Sequence, residues 1–336
     1  MARLSALLQL LIFGLQLNTL PSVTALVPSN QRSALLDLYS GTGGASWSTT
    51  WNTSVLDVCT YNGVTCDSAK TYVYGLYLAS NNLNGTLPAS LSALTGLSSL
   101  HLGANPLLRG AIPEIFGGMT SLVDLSLGSC AFTGALPSSL SQAVNLINVD
   151  LSANQFTTTF PAFMGTFTHM QYLFLYGNAG LSGPIPDNFF RNLTALLSYD
   201  SQGTALTGSI PTSLKYATSL TYLGLGYMQL SGSIPDVFAG LTQLNTFRAA
   251  NMPGLTGSLP PSMGLLTSLQ NIYLDGSSIS GSLAALANWT NLATLSISST
   301  QFSGSVPSTV WSTLTSLQTL YIFLLFSPAK RESNSE

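Results

Sequence analysis

Two aspartates near the middle of the chain have the side chains needed for acid–base catalysis. Asp150 and Asp200 each directly follow an apolar residue in a short alternating segment, and Phe174 holds the equivalent position between them. If the three segments are neighbouring strands, the two carboxylates lie about 10 Å apart. Paired carboxylates serve glycoside hydrolysis where the pKa of one is raised relative to the other. An open sheet provides no such difference, so we predict two ordinary solvated carboxylates and no enzyme.

The histidines and cysteines do not indicate a metal site. His101 falls on a predicted strand and His169 in the turn before another, and no cluster has zinc-ligand spacing. Cys130 has no adjacent base to activate it, so a structural role is predicted. Cys59 and Cys66 are close together in a Trp-rich segment, where a disulfide is favoured in an oxidising compartment. We predict no metal and no cofactor.

The elements that must position these residues are repeats. A hydrophobic LxL signature recurs eleven times, at intervals of 23 to 26 residues. A period of this kind is typical of a stacked solenoid, in which each repeat buries its apolar face against its neighbours. The first apolar residue of each core, called the anchor below, is Leu76, Leu100, Leu125, Val149, Leu173, Tyr199, Leu223, Phe247, Ile272, Leu295 or Leu320.

The residues that alternate with the anchors must lie on the open face of the sheet. Aromatic and charged side chains concentrate there in the fourth to ninth repeats, and aromatic and Arg side chains commonly anchor recognition surfaces. Strand propensity and cross-strand packing also favour aromatics at such positions, without any ligand. The predicted ligand-binding residues are Asp150, Tyr172, Phe174, Tyr176, Asp200, Tyr222, Arg248, Tyr273 and Asp275.

The N-terminus has the pattern of a secretory signal peptide over residues 1–25. Arg3 supplies a positive charge, an apolar run follows, and Val23-Thr24-Ala25 forms a small-residue cleavage site. An uncleaved signal anchor is the alternative, and no other segment could span a membrane. We therefore predict a secreted or cell-surface protein. Its possible N-glycosylation sites are Asn52, Asn84, Asn192 and Asn288.

Composition excludes one class of partner and fits an extracellular surface. Only 6% of the residues are charged and the formal net charge is −3, with no basic cluster. Nucleic acid is therefore not a predicted partner. The sequence does not indicate an oligomeric state.

The chain divides into four predicted segments. After the signal peptide, residues 26–69 do not obey the period; they hold a helical pattern and two tryptophans that could cover the end of a solenoid, so they are predicted to be an N-terminal cap. Residues 70–326 are the repeat array, whose last repeat is incomplete, and residues 327–336 are a polar disordered tail. The fifth residue after the anchor is Asn in four of the first five repeats and Thr, Met, Ser or Leu from the sixth onward, which predicts less regular later repeats.

The repeat motif carries a family resemblance. The block LxxLxLxxNxLxGxIP, as in residues 173–186 and 223–235, resembles the plant-type leucine-rich repeat. The segment from Cys59 to Cys66 resembles the N-terminal cap of that family, with Tyr61 where the family usually has Trp. The likeness covers residues 31–319. It implies an α/β repeat solenoid: a right-handed superhelix of about 11 repeats of about 24 residues, with a concave parallel sheet, a second short strand in each repeat, and a Cys59–Cys66 disulfide in the cap.

The resemblance implies binding and not catalysis. Proteins built this way include ectodomains of receptor kinases, receptor-like proteins and polygalacturonase-inhibiting proteins. The main hypothesis is an extracellular recognition module that binds a protein, peptide or glycan on its concave face. The alternatives are an inhibitor of a secreted hydrolase such as a polygalacturonase, and a truncated ectodomain of a receptor kinase or receptor-like protein. A structural wall protein, an ice-interacting protein and an unrecognised enzyme remain further alternatives.

Overall fold

The structure is a computed structural model that describes residues 27–282, 286, 288–303 and 308–322. The predicted signal peptide, the polar tail and the last four residues of the predicted array lie outside the described residues. Neither α-helix in the described ranges has the length and apolar run that crossing a membrane requires.

Short strands, numbered in chain order, account for most of the regular structure. The strands of the main sheet are β1 (Val64–Cys66), β2 (Val73–Tyr77), β4 (Ser99–His101), β6 (Asp124–Ser126), β8 (Asn148–Asp150), β10 (Tyr172–Phe174), β12 (Ser198–Asp200), β14 (Tyr222–Gly224), β17 (Thr246–Arg248), β19 (Asn271–Tyr273), β21 (Thr294–Ser296) and β23 (Thr319–Tyr321). All are parallel except β1, which pairs antiparallel with β2. The eleven parallel strands correspond to the eleven predicted repeats.

The main sheet keeps one register along its length. Leu173 lies between Val149 and Tyr199, and the same anchor-to-anchor pairing continues to Leu295 and Leu320. Every anchor from Leu76 to Leu295 is buried, because alternate residues of a strand point to opposite faces and the anchor side points into the solenoid. The predicted inside and outside faces are therefore confirmed.

The eight returns between β2 and β19 each contain a 3₁₀ helix, as the spacing of three between apolar residues predicts. They span Ala89–Ala93, Phe116–Gly118, Ser138–Gln142, Ala162–Thr166, Phe189–Asn192, Thr212–Tyr216, Phe238–Gly240 and Pro261–Leu265. Two further 3₁₀ helices, Gly44–Ser46 and Val58–Thr60, lie in the cap. The α-helices are α1 (Ser29–Gly41) in the cap and α2 (Ser308–Thr313) near the other end.

Second strands in the first ten repeats form three smaller parallel sheets. The first contains β3 (Asn84–Gly85), β5 (Leu107–Gly110), β7 (Ala131–Gly134) and β9 (Gln155–Phe156). The second contains β11 (Ser182–Pro184), β13 (Ala205–Gly208) and β15 (Gln229–Leu230), and the third β16 (Gly232–Ser233), β18 (Leu255–Ser258), β20 (Ser278–Ser282) and β22 (Gln301–Ser303).

The break between the first two of these sheets has a local cause. The neighbouring repeats place Gly134 and Gly183 at the turn residue with φ angles of 76° and 81°. Thr158 holds that place in the fourth repeat, and a β-branched residue does not adopt a positive φ without strain. Past the end of β9, an isolated bridge between Thr159 and Ser182 takes the place of strand pairing with β11.

The cap closes the first repeat with aromatic rings. Trp47 packs edge-on against Trp51, with ring centroids 4.9 Å apart, and Trp51 stacks on Tyr61 at 5.0 Å. Tyr61 is buried and donates a hydrogen bond to the carbonyl of Val55, so it fills the place that the family gives to Trp. The predicted disulfide is present, with Cα atoms of Cys59 and Cys66 5.7 Å apart.

Buried asparagines link the early repeats. Asn105 donates from its amide to the carbonyls of Leu78 and Leu102 and accepts from the backbone N–H groups of Asn81 and Leu83, at 2.7–3.0 Å. In contrast, the hydroxyl found at this position in later repeats donates only to the carbonyl three residues before it, as Thr204, Ser277 and Thr300 do.

The prediction that the later repeats are less regular is wrong for the main sheet. The pairing of β12 with β14 and of β19 with β21 is as uniform as that of the early strands. Buried Met228 and Met252 fill the turn with apolar volume where the amide is missing. The backbone ladder and the apolar core therefore hold the geometry without the cross-repeat side-chain bonds.

Acidic residues that follow Ile-Pro tie each of three repeats to the next. Glu114 accepts hydrogen bonds from the backbone of Ser138 at 2.9 Å and of Ser139 at 2.7 Å, at the start of the next 3₁₀ helix. These bonds lower the pKa of Glu114 to about 2. Asp187 and Asp236 accept from the following repeat in the same way.

Candidate functional site on the concave face

An aromatic strip crosses the middle of the concave sheet. Tyr172 and Phe174 lie on β10, and Tyr176 follows two residues later. The centroid of the Phe174 ring is 6.3 Å from that of Tyr172 and 6.5 Å from that of Tyr176, so the three rings form one surface. Tyr172 is 37% exposed and Tyr176 40%, although both are large and partly apolar. The strip offers contact area at low entropic cost.

Asp200, two strands beyond Asp150, is buried, at 8% exposure. Its carboxylate accepts hydrogen bonds from the hydroxyl of Tyr222 at 3.0 Å and from the backbone and side-chain N–H groups of Gln202 at 3.0–3.1 Å. Burial raises the pKa of the Asp200 carboxyl, and burial together with the Asp200 charge raises the pKa of Tyr222 to about 12.

Our prediction that Asp150 and Asp200 are both solvated is wrong for Asp200, because Asp200 is buried. Asp150 keeps its partial exposure, and its Oδ1 accepts from the backbone and hydroxyl of Ser152. The sheet therefore does distinguish the two carboxylates: Asp200 is buried and bonded to Tyr222 of the next strand and to Gln202, whereas Asp150 is partly exposed. Both Asp200 oxygens already have protein donors, so the pair is organised as two separate hydrogen-bonded groups.

Arg248 presents an unpaired guanidinium group next to this network. Its Cζ atom lies 4.0 Å from the centroid of the Tyr273 ring on the neighbouring strand, a cation–π contact. No carboxylate lies within ion-pair distance of Arg248 and no hydrogen bond occupies it among the described residues. Asp275, whose pKa is raised by burial, accepts a hydrogen bond from Ser296. Arg248 is thus held by a ring with its donors free for a ligand.

The structure places all nine predicted residues on this face, in the predicted order. Phe174, Asp200, Gly224, Arg248 and Tyr273 follow one another across β10, β12, β14, β17 and β19. Whether they contact a ligand stays a prediction. Gln202 is on the same row as Tyr176 and Asp275, three residues after the anchor, but was not among the predicted ligand-binding residues. The structure adds it, because its side chain donates to Asp200 and to the hydroxyl of Tyr222.

The remaining candidate groups lie elsewhere. His101 is on the concave face against Tyr77, with centroids 5.0 Å apart, while His169 is exposed before β10. Cys130 is buried, its thiol donates to backbone carbonyls, and burial raises its pKa, as a structural role predicts. In the part of the chain that the structure describes, no three metal-ligating side chains come together. The four sequon asparagines are all exposed, and none lies on the concave row.

Comparison with known proteins agrees with the repeat fold and its cap. Residues 28–67 match the model of the leucine rich repeat N-terminal domain. This match falls on the cap, and the sheet that follows it repeats the motif strand by strand. The chain has the leucine-rich-repeat solenoid fold. Over 127 residues it is 27% identical to polygalacturonase inhibitor 1 of rice, Oryza sativa subsp. japonica, an alignment that covers 38% of each protein.

Solved structures share the solenoid. A plant peptide hormone receptor, RGFR1 in complex with RGF2, is 28% identical, with a TM-score of 0.69 over 79% of this leucine-rich-repeat chain and 40% of the receptor chain. A plant ice-binding protein is 23% identical, with a TM-score of 0.72 over 89% of this chain and 96% of its own, and this likeness concerns the fold alone. The chain therefore spans well under half of the inhibitor and of the receptor chain.

Proposed function

We propose that this leucine-rich-repeat protein is a non-catalytic recognition module, secreted or on the cell surface, that binds a protein or peptide segment on its concave face. The observation that carries the proposal is the free guanidinium group of Arg248, held against Tyr273 beside an exposed aromatic strip. A cation with unused donors fits an acidic group on a partner. The strip of Tyr172, Phe174 and Tyr176 fits an apolar one.

The spacing of these two features describes the ligand further. Phe174 and Arg248 are separated by three strand-to-strand steps, about 14 Å. An extended chain covers about 3.3 Å per residue. The ligand would therefore lie across the strands and carry an apolar side chain and an acidic group about four residues apart. A glycan ligand would make less use of the unpaired cation.

A secreted hydrolase is the second candidate partner. The 27% identity to the rice polygalacturonase inhibitor over 127 residues supports it. The same concave residues serve both hypotheses, so they differ only in the identity of the partner. If the chain is a truncated receptor ectodomain, the concave face would bind a protein or peptide segment, as in the main hypothesis.

The test starts with partner capture from secreted proteins and continues with affinities. For a purified partner, we expect Phe174→Ala and Arg248→Ala each to weaken binding at least tenfold, about 1.4 kcal/mol. Arg248→Lys keeps the charge but loses the planar fork, so an intermediate loss is expected. Ser126→Ala lies on the same row outside the proposed contacts and is the control. Ser296→Ala is less clean because Ser296 donates to Asp275.

Each outcome decides between hypotheses. Equal affinity of all variants for the captured partner would remove the concave face from the proposal. If the partner is a hydrolase, an activity assay with and without the protein distinguishes inhibition from simple binding. Loss of inhibition in Arg248→Ala but not in Ser126→Ala would identify the inhibitor hypothesis as correct.

A further inference from the structure

In the first ten repeats, which the structure describes at this position, Tyr227 is the one aromatic residue on an edge of smaller side chains. The fourth residue after the anchor has a positive φ angle in each of the first ten repeats. Glycine, and to some extent Asn, accepts this conformation, whereas an aromatic residue is strained there. The row reads Ser80, Ala104, Ser129, Ala153, Gly177, Gly203, Tyr227, Asn251, Gly276 and Ser299.

Neither the backbone nor the core explains a tyrosine at this place. The φ angle of 58° is imposed by the ladder, since the N–H of Tyr227 donates to the carbonyl of Ala250 at 2.8 Å. The side chain is 61% exposed, so it contributes little to packing. A strained residue whose ring points into solvent suggests a binding role for that ring.

The ring borders an open hollow of about 390 Å³ on this edge. Such a volume is within the range of small-molecule sites, about 300–1,000 Å³. Gly203 and Ala205 in the preceding repeat carry little or no side chain, so they leave room beside the ring. Buried Thr204 and Met228 line it as well.

The lining of the hollow is uncharged and combines polar with apolar side chains. Its lining is Ala179, Gly203, Thr204, Ala205, Tyr227, Met228, Gln229 and Asn251, which contains no Asp, Glu, Lys, Arg or His. Gln229 and Asn251 are exposed, and their side-chain amides have no hydrogen-bond partner among the described residues. Each amide provides one acceptor and two donors.

We propose that this hollow binds a neutral pyranose unit of an oligosaccharide. The C–H face of the sugar would stack on the Tyr227 ring, and its hydroxyl groups would bond to the amides of Gln229 and Asn251. An anionic sugar would find no cation among the lining residues. The site uses none of the concave residues Phe174, Asp200 or Arg248, so it does not depend on the proposed function.

The test is calorimetric titration of the protein with four neutral hexasaccharides, namely cellohexaose, laminarihexaose, mannohexaose and xylohexaose, and with hexagalacturonate. We expect saturable binding of at least one neutral sugar and none of hexagalacturonate. Tyr227→Asn should weaken that binding at least tenfold, while urea unfolding shows equal or greater stability because Asn tolerates a positive φ. Tyr227→Phe should keep the affinity within about threefold.

The matched control is Tyr216→Ala, which removes an exposed tyrosine outside the hollow and should leave sugar binding unchanged. Absence of binding to all four neutral sugars would overturn the proposal. So would preferential binding of hexagalacturonate, or equal affinity of the wild-type protein and Tyr227→Asn. These results are independent of partner binding by Arg248→Ala, which tests the concave face.

Discussion

The carboxylate of Asp200 fills the space that a side chain at Gly224 would occupy. A Cβ atom on Gly224 would stand 2.6 Å from Oδ1 of Asp200 on the neighbouring strand, closer than real Cβ contacts allow. The glycine therefore lets Asp200 lie across the seventh repeat, within hydrogen-bond reach of Tyr222. One missing side chain thus makes the buried network on the concave face possible.

Gly224→Ala is expected to destabilise the protein, because the new Cβ atom would clash with Oδ1 of Asp200. The new methyl group must displace the Asp200 carboxylate and so break its bonds to Tyr222 and Gln202. Overpacking of this kind costs about 1–3 kcal/mol of unfolding free energy. Gly117→Ala is the control, because its Cβ would meet no atom nearer than 3.7 Å. Urea titrations compare the two, and equal stabilities would show that Asp200 moves freely.

Asp200→Asn should change how stability depends on pH. Burial raises the folded-state pKa of Asp200, so its contribution to stability is full below the unfolded pKa and is lost as pH rises through the folded pKa. Asn keeps an acceptor oxygen for Tyr222 and carries no charge. The melting temperature of Asp200→Asn, relative to wild type, should therefore rise as pH increases above the usual aspartate pKa of about 4.

The comparison with wild type is needed because other carboxyls act in the opposite direction. The pKa values of Glu114 and Asp236 are lowered by hydrogen bonds from the next repeat, so their contributions are lost as pH falls. Subtracting the two melting curves at each pH cancels these groups. A difference that shrinks as pH rises would contradict the burial of Asp200.

The fold could be predicted from the sequence because the same hydrophobic pattern occurs in every repeat. An unusual residue at one anchor position, such as Tyr199, does not hide the pattern, because the ten other anchors are apolar residues at similar spacing. The Tyr199 ring packs against Phe190 in the core. The cap could be predicted for a related reason, since Trp47, Trp51 and the two cysteines concentrate in a segment outside the period.

The state of individual site residues could not be predicted in this way. The environment of Asp200 includes Gly224 on the next strand and Gln202 in its own repeat. These contacts depend on which residues occupy three separate positions of the sequence. The bonds that Glu114 accepts depend on the exact offset between two consecutive turns. Such relations involve orientation across repeats, which a hydrophobic period does not encode.

Asn105→Thr tests what the buried amide contributes. Threonine can keep the local bond to the carbonyl of Leu102, as Thr204 does in its own repeat, but it loses the bond to Leu78 and the acceptor for Asn81. Each buried group left unpaired costs about 1–3 kcal/mol. We expect Asn105→Thr to lower the unfolding free energy by at least about 2 kcal/mol.

Thr204→Val is the matched variant, since it removes one local hydroxyl bond at nearly constant volume. Its expected cost is about 1 kcal/mol. Urea unfolding at one pH measures both variants. If Thr204→Val were the more destabilising of the two, the asparagines would not be the cross-repeat links that the hydrogen bonds indicate.

Removal of the disulfide should loosen the cap and leave the distant repeats folded. The Cys59–Cys66 bridge closes a short loop, which stabilises by about 2–3 kcal/mol. Replacing both cysteines with serine should therefore reduce amide protection in α1 and β1, which contact the first repeat through the bond from Val73 to Gln31 and the pairing of β1 with β2. Each repeat of a solenoid mainly contacts its neighbours, so β12 and β14 should keep their protection.

Hydrogen exchange followed by mass spectrometry resolves these segments. An equal loss of protection along the whole chain would mean that the solenoid unfolds as one cooperative unit.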